Sequence, residues 1–595
     1  MVVERTVAAY STCPPPTMLE QYFTDTDIVR RLSRRRAECA TAEHEHTRLE
    51  LIAPLGCSRC PSDYEAEVRG LFPPRAEWTR PRMRDGLTRE QIAAQSAFSA
   101  AIRALSSSAY ADEPHTRNLR AFINGVRQAA LGDEPYVFQP PEIIPRRKEP
   151  GIPVYRAIAR LALRDVVVEG TVAKYLQRCF GPHLLDCSFA YRSGSPGRPA
   201  PTHHDAMRAV MEFLVANAGR EIWIVEVDIR KFFDVVGHEV ALAAVDGAVE
   251  RATKLGVLVD PRALAILRAF LDCFSFPRNV LTGALPELRE REPDATFGWP
   301  GEGGSLHEFY PDPMEAEVGI IQGAALSCLM ANLVLHDADV AMTSGADRSN
   351  QLYARFSDDM VAMSTSKEQA ETDMQKYRTA MKALGLPIHE PKPGVPYGKE
   401  FWGLKSRGPY RLTDHPGGAP VFGLVGYQVH ADGHLRLRPS SLRKQIDKIR
   451  DETDKVVQRL LSAGKDGIKL SGRQIAYRLE QRLIGMAVGR RTLQSRPGEL
   501  SPHCFASGWK LLAEYPHQRG QLRLLDRERG QNMHRLRRVL RKLGVPVEPA
   551  RGSNRRKEGR RQFFGNPFSY AGQYPRPLSL GKSPWWETQR PAKKG

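Results

Sequence analysis

The sequence predicts an α+β protein with a mainly helical N-terminal extension and a helical, basic C-terminal region. Three observations predict it. Between about 141 and 430, short β-branched and aromatic runs alternate with helical periods. Before that, over 1–140, amphipathic stretches such as REQIAAQSAFSAAIRALSSSA are separated by the Pro-rich breaks CPPP, FPPRAEWTRPR and FQPPEIIP. From Ser440 on, Leu442, Ile446, Ile449, Thr453, Val456 and Leu460 step by four and three, while Arg443, Lys444, Lys448, Lys455 and Arg459 fall on the opposite face.

The other segments follow from composition. The stretch from about 255 to 318, including FGWPGEGGSLHEFYPDP, is rich in Gly and Pro and reads as a long loop or insertion. A second basic helix is expected at about 519 to 543, and a Gly, Pro, Arg and aromatic tail over 546–595, which would order only against a partner or the protein body. No internal repeat occurs. No run of about 18 apolar residues is present, and MVVERTVAAYSTCPPP lacks a charged region followed by an apolar one. The expectation is a soluble, cytoplasmic protein with no membrane partner.

Nine cysteines scattered over 595 residues argue for reduced thiols. The one close pair, Cys57 and Cys60, is open to two readings: free thiols in a loop, or half of a zinc site completed by Cys39, His44 or His46. A net charge of +19 points to a polyanionic partner, with nucleic acid the first candidate. The charge is spread over clusters at 30–38, 144–150, 441–450, 534–544 and 551–562, as a long tract of contacts requires; about half of these are expected to be solvated helix faces.

The chemistry concentrates in acids at strand ends. IWIVEVD is an apolar β run that ends in Asp228, and YARFSDDMVAMS places Asp358 and Asp359 between two apolar runs that read as a hairpin. Adjacent carboxylates repel and resist desolvation, so a cation must offset the cost. Three carboxylates converging from neighbouring strands suit two Mg²⁺ ions about 4 Å apart, as in nucleotidyl transfer. Mn²⁺ is the alternative ion.

These residues resemble the reverse transcriptases, in the bacterial branch that holds group II intron maturases, retrons and the defence-associated "unknown group" enzymes. VDIRKFFDVVGH resembles the first palm motif, GIIQGAALSCLMANLVLHDAD the motif G-x-P-Q-G-x-x-L-S-P, and FSDD the Y-A-D-D box. YRAIARLALRDVVVEGTVAKYL and SFAYRSGSP resemble the fingers segments, LGLPIHEPKPG the fourth motif, and VFGLVGYQVHADGHLRLRPSSLRKQI the primer grip running into the thumb. The match spans about 145 to 545. It implies a right-hand polymerase with fingers at 141–220, a palm at 221–430 carrying the insertion, and a thumb at 431–545. Phe356 and Ser357 stand where Tyr and Ala are usual, and Ile321 and Cys328 replace two prolines. The first pair is expected to alter primer contact, the second to reshape the template and nucleotide pocket.

The resemblance implies roles residue by residue. Asp228, Asp358 and Asp359 would be the metal ligands, with the carbonyl of Ile229 completing one shell. Phe233 would be the steric gate against a ribose 2′-hydroxyl, with a core aromatic as its other reading. Gln322 and Gly323 would line the nucleotide pocket, Arg156 and Lys148 would neutralise the triphosphate, and Lys392 would protonate pyrophosphate. Implied partners are dNTPs, an RNA template or structured noncoding RNA, and the DNA product, with a homo-oligomer or a partner reverse transcriptase as the candidate assembly. No nuclease or integrase pattern follows the thumb, so a complete intron-encoded protein is the less expected case. The N-terminal region and C-terminal tail resemble domesticated bacterial enzymes, many of which act in antiphage defence, and that resemblance implies the setting. A maturase and a noncatalytic RNA-binding scaffold are the alternatives.

Overall fold

In a computed structural model of the chain, the described residues are 18–54, 60–81, 87–149, 151–194, 199–302, 304–392, 394–489, 504–547 and 566–570. They form mixed helix and sheet in two compact units, one of 1–28 with 121–425 and the other of 29–120 with 426–595.

In the first unit, β1 (Glu142–Arg147) and β2 (Tyr155–Arg160) pair antiparallel, with Arg146 opposite Arg156. β3 (Trp223–Glu226), β4 (Gln351–Phe356), β5 (Asp359–Ser364) and β6 (Arg407–Arg411) form a four-stranded sheet in the order β4-β5-β3-β6, with every pair antiparallel. The apolar runs explain the centre of this sheet, since a strand covered on both faces loses the polar alternation of an exposed one. All of β5 after Asp359 is buried. The helix Lys367–Ala383 packs across β3, β5 and β6, and the helix His203–Ala216 packs on β4. A buried carboxylate in β3, Glu226, is satisfied by two 3.0 Å bonds from Arg407 and one of 2.7 Å from the Tyr410 hydroxyl. The short β7 (Val421–Leu424) lies near the end of this unit.

The stretch at 255–318 departs from the loop expected of it. It opens with the helix Pro261–Asp272, continues through a π-helical segment Phe276–Ala284 and the helix Leu285–Arg291, and only then becomes irregular. The Asp260 side chain caps the first helix ahead of Pro261, and Ala263, Ile266, Leu267, Phe270 and Leu271 are its buried stripe. The glycines and prolines that suggested a loop lie mainly beyond it.

The second unit joins the early helices to the C-terminal ones. Helix Asp25–Ile52, from Val29 on, shares a part-buried ion network with helices Pro439–Gly467 and Gly472–Val488: Glu452 accepts from Arg482 at 2.7 Å and from Lys455 at 2.9 Å, and Arg482 also reaches Glu45 at 2.6 Å. The expected stripe is seen in Ile449, Thr453, Val456 and Leu460, all buried. Helix Arg519–Lys542 buries Leu522, Leu525, Leu536 and Leu540. β8 (Tyr427–His430) and β9 (Leu435–Leu437) pair antiparallel. From the tail, the turn Pro567–Tyr570 is tied down by Phe568 and Ser569 backbone N–H bonds to Asp526, each 2.9 Å. Trp585, Trp586 and the cluster at 551–562 lie outside the described residues.

One helical stretch, Ala325–Thr343, is long and apolar enough to cross a membrane by composition, but 72% of its apolar window is buried within the protein. Its apolarity is accounted for by the core.

Candidate active site

The sheet brings Asp228 to the acidic hairpin. β3 and β5 pair Trp223 with Ser364, Ile224 with Met363 and Val225 with Ala362. Continuing that register past the end of β3 sets Asp228 opposite Asp359. The strands remain side by side there, since the Val227 N–H donates to Met360 Sδ at 3.3 Å. Asp228 is fixed on its other side: its N–H donates to Ser406 Oγ at 2.9 Å, its carbonyl accepts from the His389 N–H at 2.9 Å, and Ile229 bridges to Ile388. Its carboxylate is 30% exposed, with His389 Nε2 3.6 Å away. Burial, then Arg230 and Lys405, push that imidazole down to about 4, so it stands neutral at pH 7.

The β4–β5 turn is Ser357–Asp358, with Phe356 paired to Asp359. Ser357 has φ +62°, a conformation that costs a non-glycine residue about 1 kcal/mol or more. Arg355 stabilises it by donating from Nη1 to the Ser357 carbonyl at 2.9 Å. The same guanidinium is bonded to both oxygens of Asp339, and it donates to Ser188 Oγ at 3.0 Å. Phe356 presents its ring to His203 edge-on, with centroids 6.3 Å apart.

The second motif is bonded to the segment that follows Asp228. The Phe233 carbonyl accepts from the Ile320 N–H and the Val236 carbonyl from the Gly319 N–H, both at 2.8 Å, which ties the segment after Asp228 to the one leading into Gln322. Phe232 is buried at 1% exposure and Phe233 is only half-buried, so it is Phe232 that serves as the core aromatic. Gln322 is half-buried, and Gly323 is exposed at φ +98°, where only glycine is unstrained. Buried Glu169 accepts from the Ala325 and Leu326 N–H groups at 3.1 and 3.2 Å, placing a carboxylate at the N-terminus of helix Ala325–Val334.

Lys148 and Arg156 share one face of the β1–β2 hairpin, because Lys148 N–H bonds to Val154 O and Arg146 is opposite Arg156. A third cation, Lys231, adjoins Lys148. It sits in the left-handed region at φ +54° and donates to Asp234 Oδ2 at 3.2 Å and to the Phe297 carbonyl at 2.7 Å. Partial burial, then Lys231 and Arg156, push the Lys148 ammonium down to about 8, although the residue as a whole is exposed. Burial pushes the Asp234 carboxyl up against the pull of Lys231, Lys148 and Arg156. Lys392 is exposed and, among the described residues, has no ion-pair partner.

Carboxylates at the end of β3 and in the β4–β5 turn offer the hard oxygen donors that Mg²⁺ takes, and Mg²⁺ is commonly held by one or two carboxylates plus substrate phosphates. Among the described residues, no three His, Cys, Asp or Glu side chains are drawn together closely enough to hold an ion by themselves. Of the zinc candidates, Cys39 is buried, Cys60 is exposed, and Cys57 lies outside the described residues.

Sequence reasoning passed over Arg355, Asp339, Lys231, Asp234 and Glu169. An arginine inside the apolar run LYARF was a signal for Arg355, since a charge on a buried strand requires a partner. Asp339 was inside a quoted motif without a role. Basic residues lie exposed along two C-terminal helices: Arg443, Lys444 and Lys448 on one, and Arg523, Arg527, Arg538 and Arg541 on one face of the other.

No family model matches the chain, and no curated protein matches it in sequence. Among solved structures it is similar to apo telomerase from Candida tropicalis at 10% identity and a TM-score of 0.34, covering 75% of this chain and 74% of that one. A form of the same apo telomerase truncated from the C-terminal domain matches at 10% identity and a TM-score of 0.29, covering 50% of this chain and 54% of that one. Likenesses this distant carry no functional weight.

Proposed function

We propose that the chain is an RNA-directed DNA polymerase that joins dNTPs to a 3′-hydroxyl at the end of the four-stranded sheet where Asp228, Asp358 and Asp359 lie. The observation that supports this reading is the β3–β5 register, which pairs Val225 with Ala362 and, continued past the end of β3, runs toward Asp228 and Asp359 beside the turn that holds Asp358. In this reading 141–220 are the fingers, 221–430 the palm and 431–545 the thumb.

Bound Mg²⁺, or Mn²⁺ in its place, would supply the Lewis acidity that activates the 3′-hydroxyl and neutralises the leaving pyrophosphate. The three aspartates and the Ile229 carbonyl would be its protein ligands. Lys148 and Arg156 carry positive charge to the triphosphate. Phe233, half-buried and bonded through its carbonyl to the Ile320 N–H, would set its ring against the sugar, and Gln322 and Gly323 would border the nucleotide. Lys392 enters as a proton donor through the sequence resemblance alone. The exposed bases of the C-terminal helices suit the phosphates and 2′-hydroxyls of an RNA–DNA hybrid, a contact that tolerates any sequence. A bacterial antiphage role with a noncoding RNA rests on the resemblance to defence-associated enzymes.

The test is dNTP incorporation by the purified chain on a primed RNA, beside Asp228→Asn and Asp359→Asn, with the copurifying RNA sequenced. Loss of incorporation in both variants with folding intact is expected. Equal incorporation by all three proteins would sink the reading. RNA retained without any incorporation would favour the scaffold, and a single intron RNA the maturase.

A further inference from the structure

The irregular part of the 255–318 stretch is bonded to both sides of the cluster of Lys148, Arg156 and Lys231. On the hairpin side, the Tyr155 N–H donates to the Thr296 carbonyl at 2.8 Å, the Thr296 N–H donates to the Pro153 carbonyl at 2.9 Å, and Arg147 and the Tyr155 hydroxyl both bond the Glu292 carboxylate. On the side that follows Asp228, the Phe297 carbonyl accepts from Lys231 Nζ at 2.7 Å, Trp299 Nε1 donates to the Asp234 carbonyl at 2.9 Å, and Ser305 Oγ accepts from Arg230 Nη1 at 2.7 Å. Trp299 is itself anchored: its ring stacks on buried Phe276 with centroids 5.8 Å apart and planes 16° apart.

These bonds need explaining because each end is costly alone. Lys231 holds a left-handed backbone that its side chain does not favour. Its ammonium stands beside Lys148, and Asp234, 14% exposed, is the counter-charge that it shares with Lys148 and Arg156. Three cations around one carboxylate leave an excess of positive charge that a polyanion would neutralise. The strain and the crowding persist where surrounding bonds over-determine them, and Glu292, Thr296, Phe297, Trp299 and Ser305 supply those bonds.

We propose that the segment 292–302 is a strap that presents Lys231, together with Lys148 and Arg156, to the polyphosphate of the substrate, with Trp299 as a positioning residue. This deepens the polymerase reading and rests on it for the identity of the substrate, but the cationic cluster's affinity for a polyphosphate is measurable without any reaction. Trp299→Phe keeps a ring on Phe276 and removes the N–H bond to the Asp234 carbonyl. Gly301→Ala acts differently, since its Cβ would fall 2.0 Å from Trp299 Cζ3 and push the indole away.

The experiment titrates inorganic tripolyphosphate into the full chain by calorimetry, for wild type, Trp299→Phe, Gly301→Ala and Lys231→Met, and separately measures KM and kcat for dNTP. Wild type is expected to bind, each variant to bind several-fold more weakly, and KM to rise by the same factor with kcat little changed. A merely structural role would lower the melting temperature and leave tripolyphosphate affinity where it was. Unchanged affinity in folded Trp299→Phe and Lys231→Met, or no binding by wild type, overturns the strap. If wild type binds tripolyphosphate and the variants lose it while no protein incorporates dNTP, the strap stands and the polymerase reading falls.

Discussion

Arg355 and Asp339 form an ion pair from which water is excluded, with both residues at 0% exposure and two bonds of 2.7 and 2.5 Å between them. The pair lies directly beneath the acidic turn, because Arg355 also donates to the Ser357 carbonyl. Removing one member leaves the other charge buried alone, which typically costs about 3–5 kcal/mol. Arg355→Met and Asp339→Leu are each expected to lose stability on that scale in urea denaturation. The double variant is expected to lose less than the two singles summed. Additive losses would mean that the two charges do not act as a pair.

Two glycines near the site separate backbone strain from crowding. Gly323 has φ +98° and open space around a built Cβ, so Gly323→Ala pays only the left-handed penalty, about 1–2 kcal/mol. Gly319 has φ +99° and its Cβ would lie 2.9 Å from Phe276 Cβ. Gly319→Ala should therefore be the more destabilising of the two by thermal melting, since it also shifts the ring on which Trp299 stacks. Equal melting temperatures would show that Phe276 yields freely.

What the sequence made legible was whatever has a local period or a local sign. The stripe from Ile449 to Leu460, the hairpin around Ser357 and Asp358, and the strand leading to Asp228 were readable because burial imposes spacing on the chain itself. The helix Pro261–Asp272 carried the same signal, but the glycines and prolines downstream of it masked the pattern when the whole stretch was read as one. Lys231, Asp234 and Trp299 were not legible at all. Their roles depend on which carbonyl lies opposite after folding, as with Trp299 and Asp234, 65 positions apart, and no local spacing encodes that. The joining of 29–120 to 426–595 is hidden for the same reason: its ion pairs, such as Arg482 with Glu45, link residues 437 positions apart.

Phe232 and Phe233 stand edge to face with centroids 5.2 Å apart, yet they face different fates. Phe232→Ala empties a core site and is expected to cost about 3–5 kcal/mol of stability. Phe233→Val should cost far less and instead raise incorporation of ribonucleotides relative to deoxyribonucleotides, read as the ratio of kcat/KM for the two. An unchanged ratio would assign Phe233 to packing alone.

The second unit has its own pH signature in Glu452. Burial pushes this carboxyl up, but the bonds from Arg482 and Lys455 together outweigh burial and hold it below its ordinary value of 4.5. A carboxyl whose folded pKa lies below its unfolded one contributes stability that is fully present above the unfolded pKa and is lost as pH falls through the folded value. Stability of wild type should therefore decline as pH drops below about 4.5. Glu452→Gln keeps the shape and removes the charge, so it should be less stable than wild type at pH 7, with the gap narrowing in acid. Denaturation of both proteins between neutral pH and acid checks this. A gap that stays constant with pH would show that the Arg482–Glu452–Lys455 network does not depend on the charge of its carboxylate.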